Sequence, residues 1–274
     1  MNAQTPHTSN EPGPGRTAEI DPNLQAFELR LEGLESRLGT LEHQLGVLED
    51  IQAIRRLQHL YGYFIDKCMY DEAVACFDEE CEIQFFGGLY RGIESARRLY
   101  CGRFRNRFTG GKNGPVFGFL LDHPVMQDVI DVAPDRQTAQ GRFRLMMQAG
   151  THYERDPNPK TVARQWWEGA LYENTYVKRE GIWRIKRLDY RPVWFCTFEN
   201  GWAFTPPDFV PLLTTTYPED PEGPDELVDC PPLRWPEQEV LPFHCPHPVT
   251  GKPILTPPPG RASDPRPRPS SLPS

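Results

Sequence analysis

The stretch "RQWWEGALYENTYVKREGIWRIKRLDYRPVWF", residues 164–195, is dense in aromatic and β-branched residues and carries one turn signal, Arg179–Gly181. Such a run reads as two strands joined by a hairpin. Two strand-like segments precede it, "VFGFLLDHPVMQDVIDV" (116–132) and "TAQGRFRLMMQAGTHYE" (138–154), separated by the turn "APD". Further upstream, "DEAVACF" (71–77) starts a second helix, "CEIQFF" (81–86) reads as a strand and "GGLYRG" (87–92) as a turn. "IESARRLYCGRFRNRF" (93–108) reads as an arginine-rich third helix, and "GGKNGP" (110–115) as a loop. Helices first and a mostly antiparallel meander afterwards is the α+β pattern. A curled sheet wrapped around a helix end predicts a cone-shaped cavity.

The helix that would enter such a cone lies further upstream. Phe27, Leu31, Leu34, Leu38, Leu41, Leu45 and Leu48 step by four and three, the seam of a coiled coil. Gly33, Gly39 and Gly46 each cost that helix about 1 kcal/mol relative to alanine, so the seam needs a partner. The stripe continues through Ile51, Ile54, Leu57, Leu60 and Phe64 into "HLYGYFIDKCMYDEAVACF" (59–77), which predicts one long helix. The organisation read is therefore 1–20 disordered, 21–50 a coiled-coil-like helix, and 50–202 the α+β domain. Residues 203–274 form a proline-rich extension with a disordered end, because proline opposes regular ladders.

Composition removes several function classes. A net charge of −8 without a basic stripe argues against nucleic acid. No run approaches the ~18 apolar residues of a membrane span. Seven irregularly spaced cysteines and a polar opening segment predict reduced thiols and a cytoplasmic location. The sequence "HCPH" (244–247) has no second Cys/His pair at ligand spacing, so no metal is read. No glycine-rich phosphate loop follows a strand and no serine nucleophile elbow is present, so neither a cofactor nor acyl-enzyme chemistry is expected.

Three segments together resemble a known family. "DIQAIRRLQHLYGYFIDKCMYDEAVACF", "DHPVMQDVIDVAPDRQTAQG" and "GALYENTYVKREGIWRIKRLDY" are similar to the opening helix, the histidine-bearing strand and the closing hairpin of SnoaL-like members of the nuclear transport factor 2 (NTF2) superfamily. The resemblance implies a conical α+β barrel over residues 50–198. Enzymes on that scaffold (scytalone dehydratase, a bile-acid dehydratase, lindane dehydrochlorinase) use a histidine and an aspartate with tyrosines or a cation nearby. Carried onto this chain, the aspartate falls on Asp66, the histidine on His123, and a tyrosine five residues before the aspartate on Tyr61. The dehydrochlorinase's cation falls near Leu188 and is not kept, so the arginine-rich helix is the substitute this sequence offers. "GFLLDH", "GGKNGP", "RQWWEG" and "NGW" also look like a subgroup that includes lignin-catabolic diarylpropane-diol γ-formaldehyde lyases.

These residues suit acid–base chemistry. Imidazole titrates near neutrality, so His123 is read as the base, Asp66 as the carboxylate fixing its tautomer, and Tyr61 as a hydroxyl donor. Substrate contacts are expected from Tyr63, Phe85, Arg107, Lys112, Phe143, Leu145, Trp167, Tyr172 and Tyr190. On "GRFRLMMQ", alternation puts Phe143, Leu145 and Met147 inside, with Arg142 and Arg144 on an outer face suited to another subunit. Glu168 is read as a partner for one of the arginines, with a second acid/base role as the alternative. The expected partners are a small aromatic or otherwise apolar substrate and further copies of the chain, through the sheet face and the N-terminal helix. The expected activity is a cofactor-independent lyase, sharpest as loss of water and formaldehyde from a lignin-derived diaryl propane-diol. Two alternatives stay open: a steroid or polyketide dehydratase/isomerase, and a non-catalytic binding module or oxygenase subunit.

Overall fold

Helix α1 (Pro22–Asp66) is continuous, as the stripe predicts. It opens a computed structural model that describes residues 22–157, 164–205, 212–228, 235–258 and 260. The expectation of disorder for residues 1–20 and for the chain's end falls outside the described residues. Contacts divide the chain into two units, Met1–Gly46 and Val47–Ser274. In the first, Phe27, Leu31, Leu34, Leu38, Leu41 and Leu45 are all exposed, leaving an uncovered apolar seam.

In the second unit, the fully buried face of α1 shares only Ile54 with the stripe read from the sequence. Asp50, Ile54, Gln58, Tyr61 and Ile65 are buried, whereas Leu60 is exposed and Leu57 and Phe64 are half-buried flanks. Two polar side chains sit on this inner face because strand groups meet them. Gln58 Oε1 accepts from Asn174 Nδ2 (3.0 Å) and from the Tyr176 hydroxyl (2.8 Å). Asp50 accepts from Arg136 Nε (2.7 Å), Trp183 Nε1 (2.9 Å) and Lys178. Buried carboxylates and amides persist only when paired in this way.

The sheet contains β1 (Phe77–Phe85), β2 (Gly88–Arg91), β3 (Phe119–Asp122), β4 (Val125–Val132), β5 (Thr138–Thr151), β6 (Gln165–Arg179), β7 (Ile182–Thr197) and β8 (Glu226–Leu227). Their order is β3-β5-β6-β7-β1-β2-β8, with β4 also on β5. All pairings are antiparallel except β1 with β7, giving a curved, open α+β sheet. The hairpin β6–β7 turns at Glu180–Gly181, both with positive φ, as the turn signal predicts. At Gly169 a Cβ would overlap the Trp194 ring, so the glycine permits close approach across this hairpin. "GGLYRG" is more than a turn: Phe86 and Gly87 turn the chain and β2 follows.

The segment read as one strand over 116–132 is interrupted at His123–Pro124. β3 and the start of β4 pair with β5 in the same register, Asp122 opposite Gln148 and Val125 opposite Leu145; the register shifts later, between Met126 and Val129. Proline supplies no N–H to the ladder, so pairing lapses there without slipping. Between β2 and β3 the chain is helical. Helix α2 is Tyr70–Val74, and the arginine-rich run is α3 (Gly92–Arg97), a π-helical stretch over Arg98–Phe104, and α4 (Arg105–Thr109).

Part of the proline-rich segment folds onto this same unit. Leu213 N donates to Phe86 O (2.9 Å), Tyr90 OH to Glu222 O (3.1 Å), and Arg103 pairs with Asp220 (2.8 Å). On the outer face, Arg142 meets Glu173, donates to the carbonyl of Pro242, and lies 4.5 Å from the Phe243 ring centroid. The chain's own residues 242–243 therefore cover the outer face at Arg142.

Candidate active site

Asp66 closes α1 and His123 fills the gap between β3 and β4, which brings the two together across 57 residues of sequence. The His123 backbone N–H donates to Asp66 Oδ1 (3.0 Å), and the ring Nδ1 meets the same oxygen in close contact. Only 5% of the His123 side chain and 12% of the Asp66 side chain are exposed. With Nδ1–H held by the carboxylate, the free ring nitrogen is Nε2, the tautomer a general base requires.

His123 lines an apolar cavity of about 250 Å³. An aromatic ring fits such a space, since benzene occupies an apolar cavity of about 150 Å³. Its walls include Phe85, Phe86, Phe104, Phe108, Leu121, Met147 and Phe195. Tyr61, Tyr100, Tyr172 and Tyr190 also line it. The Tyr61 and Tyr100 hydroxyls lie 2.6 Å apart, and the rings of Tyr61 and Tyr172, and of Tyr172 and Tyr190, are 6.2 Å and 5.8 Å apart. Burial holds all four phenols well above their ordinary range, so they act as neutral hydroxyls.

A second polar group shares the cavity. Glu168 is buried and lines the wall, accepting from Trp166 Nε1 (3.0 Å) at one oxygen and from the Tyr190 hydroxyl at the other. Burial pushes its carboxyl up to about 7, against the pull of those two hydrogen bonds. Among the described residues no arginine pairs with Glu168, whose two oxygens are taken by Trp166 and Tyr190. Two cations also line the cavity: Arg103, paired with Asp220, and Arg107, which has no carboxylate partner among the described residues. Burial and the neighbouring Arg103 lower the Arg107 guanidinium.

Of the expected contacts, Phe85, Arg107, Tyr172 and Tyr190 line the cavity with Tyr61 and His123. Five do not. Tyr63 is 68% exposed, because it lies two residues from Tyr61 on a helix and turns the other way. It lines a separate recess of about 260 Å³ with His59, Asp66 and His123. Lys112 is exposed and donates to Pro115 O (3.1 Å). Phe143 and Leu145 share the inner face with Met147 but are packed into the core; Phe143 meets the His59 ring of α1 edge-on. Trp167 lies on the opposite face of β6 and packs near Phe198.

Strand parity could have found the group that replaces it. If Tyr172 faces inward, Glu168 and Trp166 face inward too, and Trp167 cannot. Tyr100 and Phe104 had no comparable signal, since both come from the π-helical stretch, where the helical period changes. Leu212 and Leu213 also reach the cavity, from the proline-rich segment. For a metal, Asp131, His244 and Cys245 place one ligand atom each within 4.8 Å of one another, away from the cavity lining. His244 is there engaged by Glu173 (2.6 Å) and Asp131 (3.2 Å).

The profile of the SnoaL-like domain family matches residues 46–189. Among solved structures, a candidate scytalone dehydratase from Novosphingobium aromaticivorans is 20% identical, with 55% of this chain and 89% of that one covered at a TM-score of 0.44. A hexachlorocyclohexane dehydrochlorinase from Novosphingobium barchaimii is 19% identical, with 60% and 99% covered at 0.45. A Mycobacterium tuberculosis protein of unknown function is 19% identical, with 53% and 72% covered at 0.40. No curated protein sequence matches the chain.

Proposed function

The chain belongs to the SnoaL-like domain family of the NTF2-like superfamily, and on that footing we propose that it is a cofactor-independent lyase acting on an apolar aromatic substrate. One observation carries this reading: an imidazole whose Nδ1 is held by a carboxylate sits in the wall of an apolar cavity. The role assigned to His123 is base, to Asp66 orienter, and to Tyr61 hydrogen-bond donor to oxygen as charge develops on it.

The sharpest form of the proposal is loss of water and formaldehyde from a diaryl propane-diol with a para-hydroxyl on one ring. Bound as its phenolate, with that proton already in the solvent, the phenol expels the benzylic hydroxyl and leaves a quinone methide. His123 then takes the proton of the terminal hydroxyl. The bond to the terminal carbon breaks, formaldehyde leaves, and the released electron pair forms the stilbene double bond while the quinone methide returns to a phenolate. Arg107, a cation without a carboxylate partner among the described residues, suits that phenolate. Incubation of the purified protein with such a diol, without added metal or nucleotide, is expected to release formaldehyde and stilbene in equal amounts. If neither forms, this substrate assignment is wrong.

The exposed seam of residues 27–45 supports a second element of the proposal, self-association. Removing residues 1–46 is expected to lower the number of chains per particle in light scattering. An unchanged particle mass would remove the seam from the assembly.

A further inference from the structure

The proposed reaction leaves one proton unassigned. Hydroxide is a poor leaving group, so departure of the benzylic hydroxyl as water requires a donor inside the cavity. Tyr61 stabilises charge but is a poor net source. Its hydroxyl neighbours are other buried phenols, and a tyrosinate among them would be a desolvated anion. His123 enters the reaction unprotonated.

Resting on the lyase reading above, we propose that Glu168 and Tyr190 form a proton relay, with Tyr190 the hydroxyl that protonates the leaving group and Glu168 the acid that restores it. The geometry is specific. Glu168 projects from β6 and Tyr190 from β7, the two are joined by a direct hydrogen bond, and both line the cavity with His123. Trp166 Nε1 donates to the other Glu168 oxygen, fixing the carboxyl plane and steadying the carboxylate that forms. The cross-strand neighbours of Glu168, Met147 on β5 and Phe195 on β7, are apolar. The titratable groups that act on the pair or share its cavity include Tyr172 of β6, Tyr61 of α1, Tyr70, Tyr100 and His123. Arg103 and Arg107 line the same cavity, and no cation forms an ion pair with Glu168 among the described residues.

The steps balance. Glu168 starts as a carboxylic acid that donates to the Tyr190 oxygen, leaving the Tyr190 hydroxyl to donate into the cavity; once ionised, Glu168 accepts from that hydroxyl instead. As the benzylic carbon–oxygen bond breaks, the departing hydroxyl takes the Tyr190 proton and leaves as water. Tyr190 takes the Glu168 proton in the same movement, so no tyrosinate accumulates. The cycle ends with Glu168 as carboxylate and His123 as imidazolium, and exchange with water resets both. Burial supports the starting state, because it keeps the carboxyl protonated up to about pH 7.

The test is Glu168→Gln, which keeps the shape and a carbonyl acceptor but cannot supply the proton. Turnover is expected to fall about 10²- to 10³-fold, within the usual range for removing a general acid, with KM little changed. In the wild type, activity should decline as pH rises through about 7, and the variant should lose that limb. A purely structural role for Glu168 would leave the pH profile unmoved. A variant with wild-type turnover and profile overturns the relay while leaving the lyase reading intact. An infrared difference titration, wild type minus Glu168→Gln, decides the matter without any substrate. A protonated-carboxyl band that disappears between pH 6 and 8 (an interval of about one unit either side of the expected midpoint) supports the relay, and a carboxyl already ionised at pH 5.5 overturns it. If the wild type releases no formaldehyde, the diol substrate assignment fails, whereas the titration still reports on Glu168 alone.

Discussion

Substituting alanine for His123 is expected to reduce turnover by about 10³-fold or more, because the proton of the terminal hydroxyl then has no acceptor. The substitution is a clean one. The hydrogen bond between this residue's backbone N–H and Asp66 does not involve the ring and survives it. Circular dichroism and the melting temperature should therefore stay close to wild type while formaldehyde release stops. Asp66→Asn should act more mildly, about 10²-fold, since an amide oxygen still accepts from the imidazole but stabilises its protonated form poorly. A His123→Ala protein that keeps a tenth of wild-type turnover, correctly folded, would end the case for this imidazole as the base.

The second large effect concerns stability and lies far from the cavity. Asp50 is 5% exposed and ties α1 to the sheet through Arg136, Lys178 and Trp183. Burial would raise its carboxyl, but the hydrogen bonds from Arg136, Lys178 and Trp183 outweigh it and hold it below the usual carboxylate range. Asp50→Ala strands Lys178, whose side chain is 13% exposed. Breaking a buried pair from one side costs about 3–5 kcal/mol. The partial exposure of Arg136 argues for the lower end, about 3 kcal/mol, or about 10 °C in melting temperature for a domain this size. Asp50→Ala combined with Lys178→Met should recover part of the loss. The folded carboxyl being depressed, its contribution is complete above the unfolded value of about 4 and disappears as pH falls through the folded value. The wild type should thus lose its advantage over Asp50→Ala in acid melts.

Asp50 and Gln58 also explain where reading the sequence stopped short. The heptad stripe runs to residue 48 in the sequence, but beyond it the inner face of α1 includes a carboxylate and an amide, which no apolar pattern marks. What selects that face is the strand groups that meet it, Asn174, Tyr176, Lys178 and Trp183, all on the hairpin β6–β7. The fold class was legible because periodicity and turn residues agree along the sheet. His123, Asp66 and Tyr61 were legible only through resemblance; spacing alone says nothing of two residues 57 apart. Trp166 and Glu168 could have been placed by parity, since they share a face with Tyr172. Leu212 and Leu213 could not, because their approach to Phe86 depends on long-range packing of an irregular segment.

The separate recess beside the dyad has a consequence for the catalytic cycle. Asp66 and His123 border it from one side and His123 borders the apolar chamber from the other, with the largely exposed Tyr63 at its rim. A guest seated in the chamber therefore does not seal the dyad off from bulk solvent. On the proposed mechanism, the His123 imidazolium would lose its proton through this recess without waiting for product to leave.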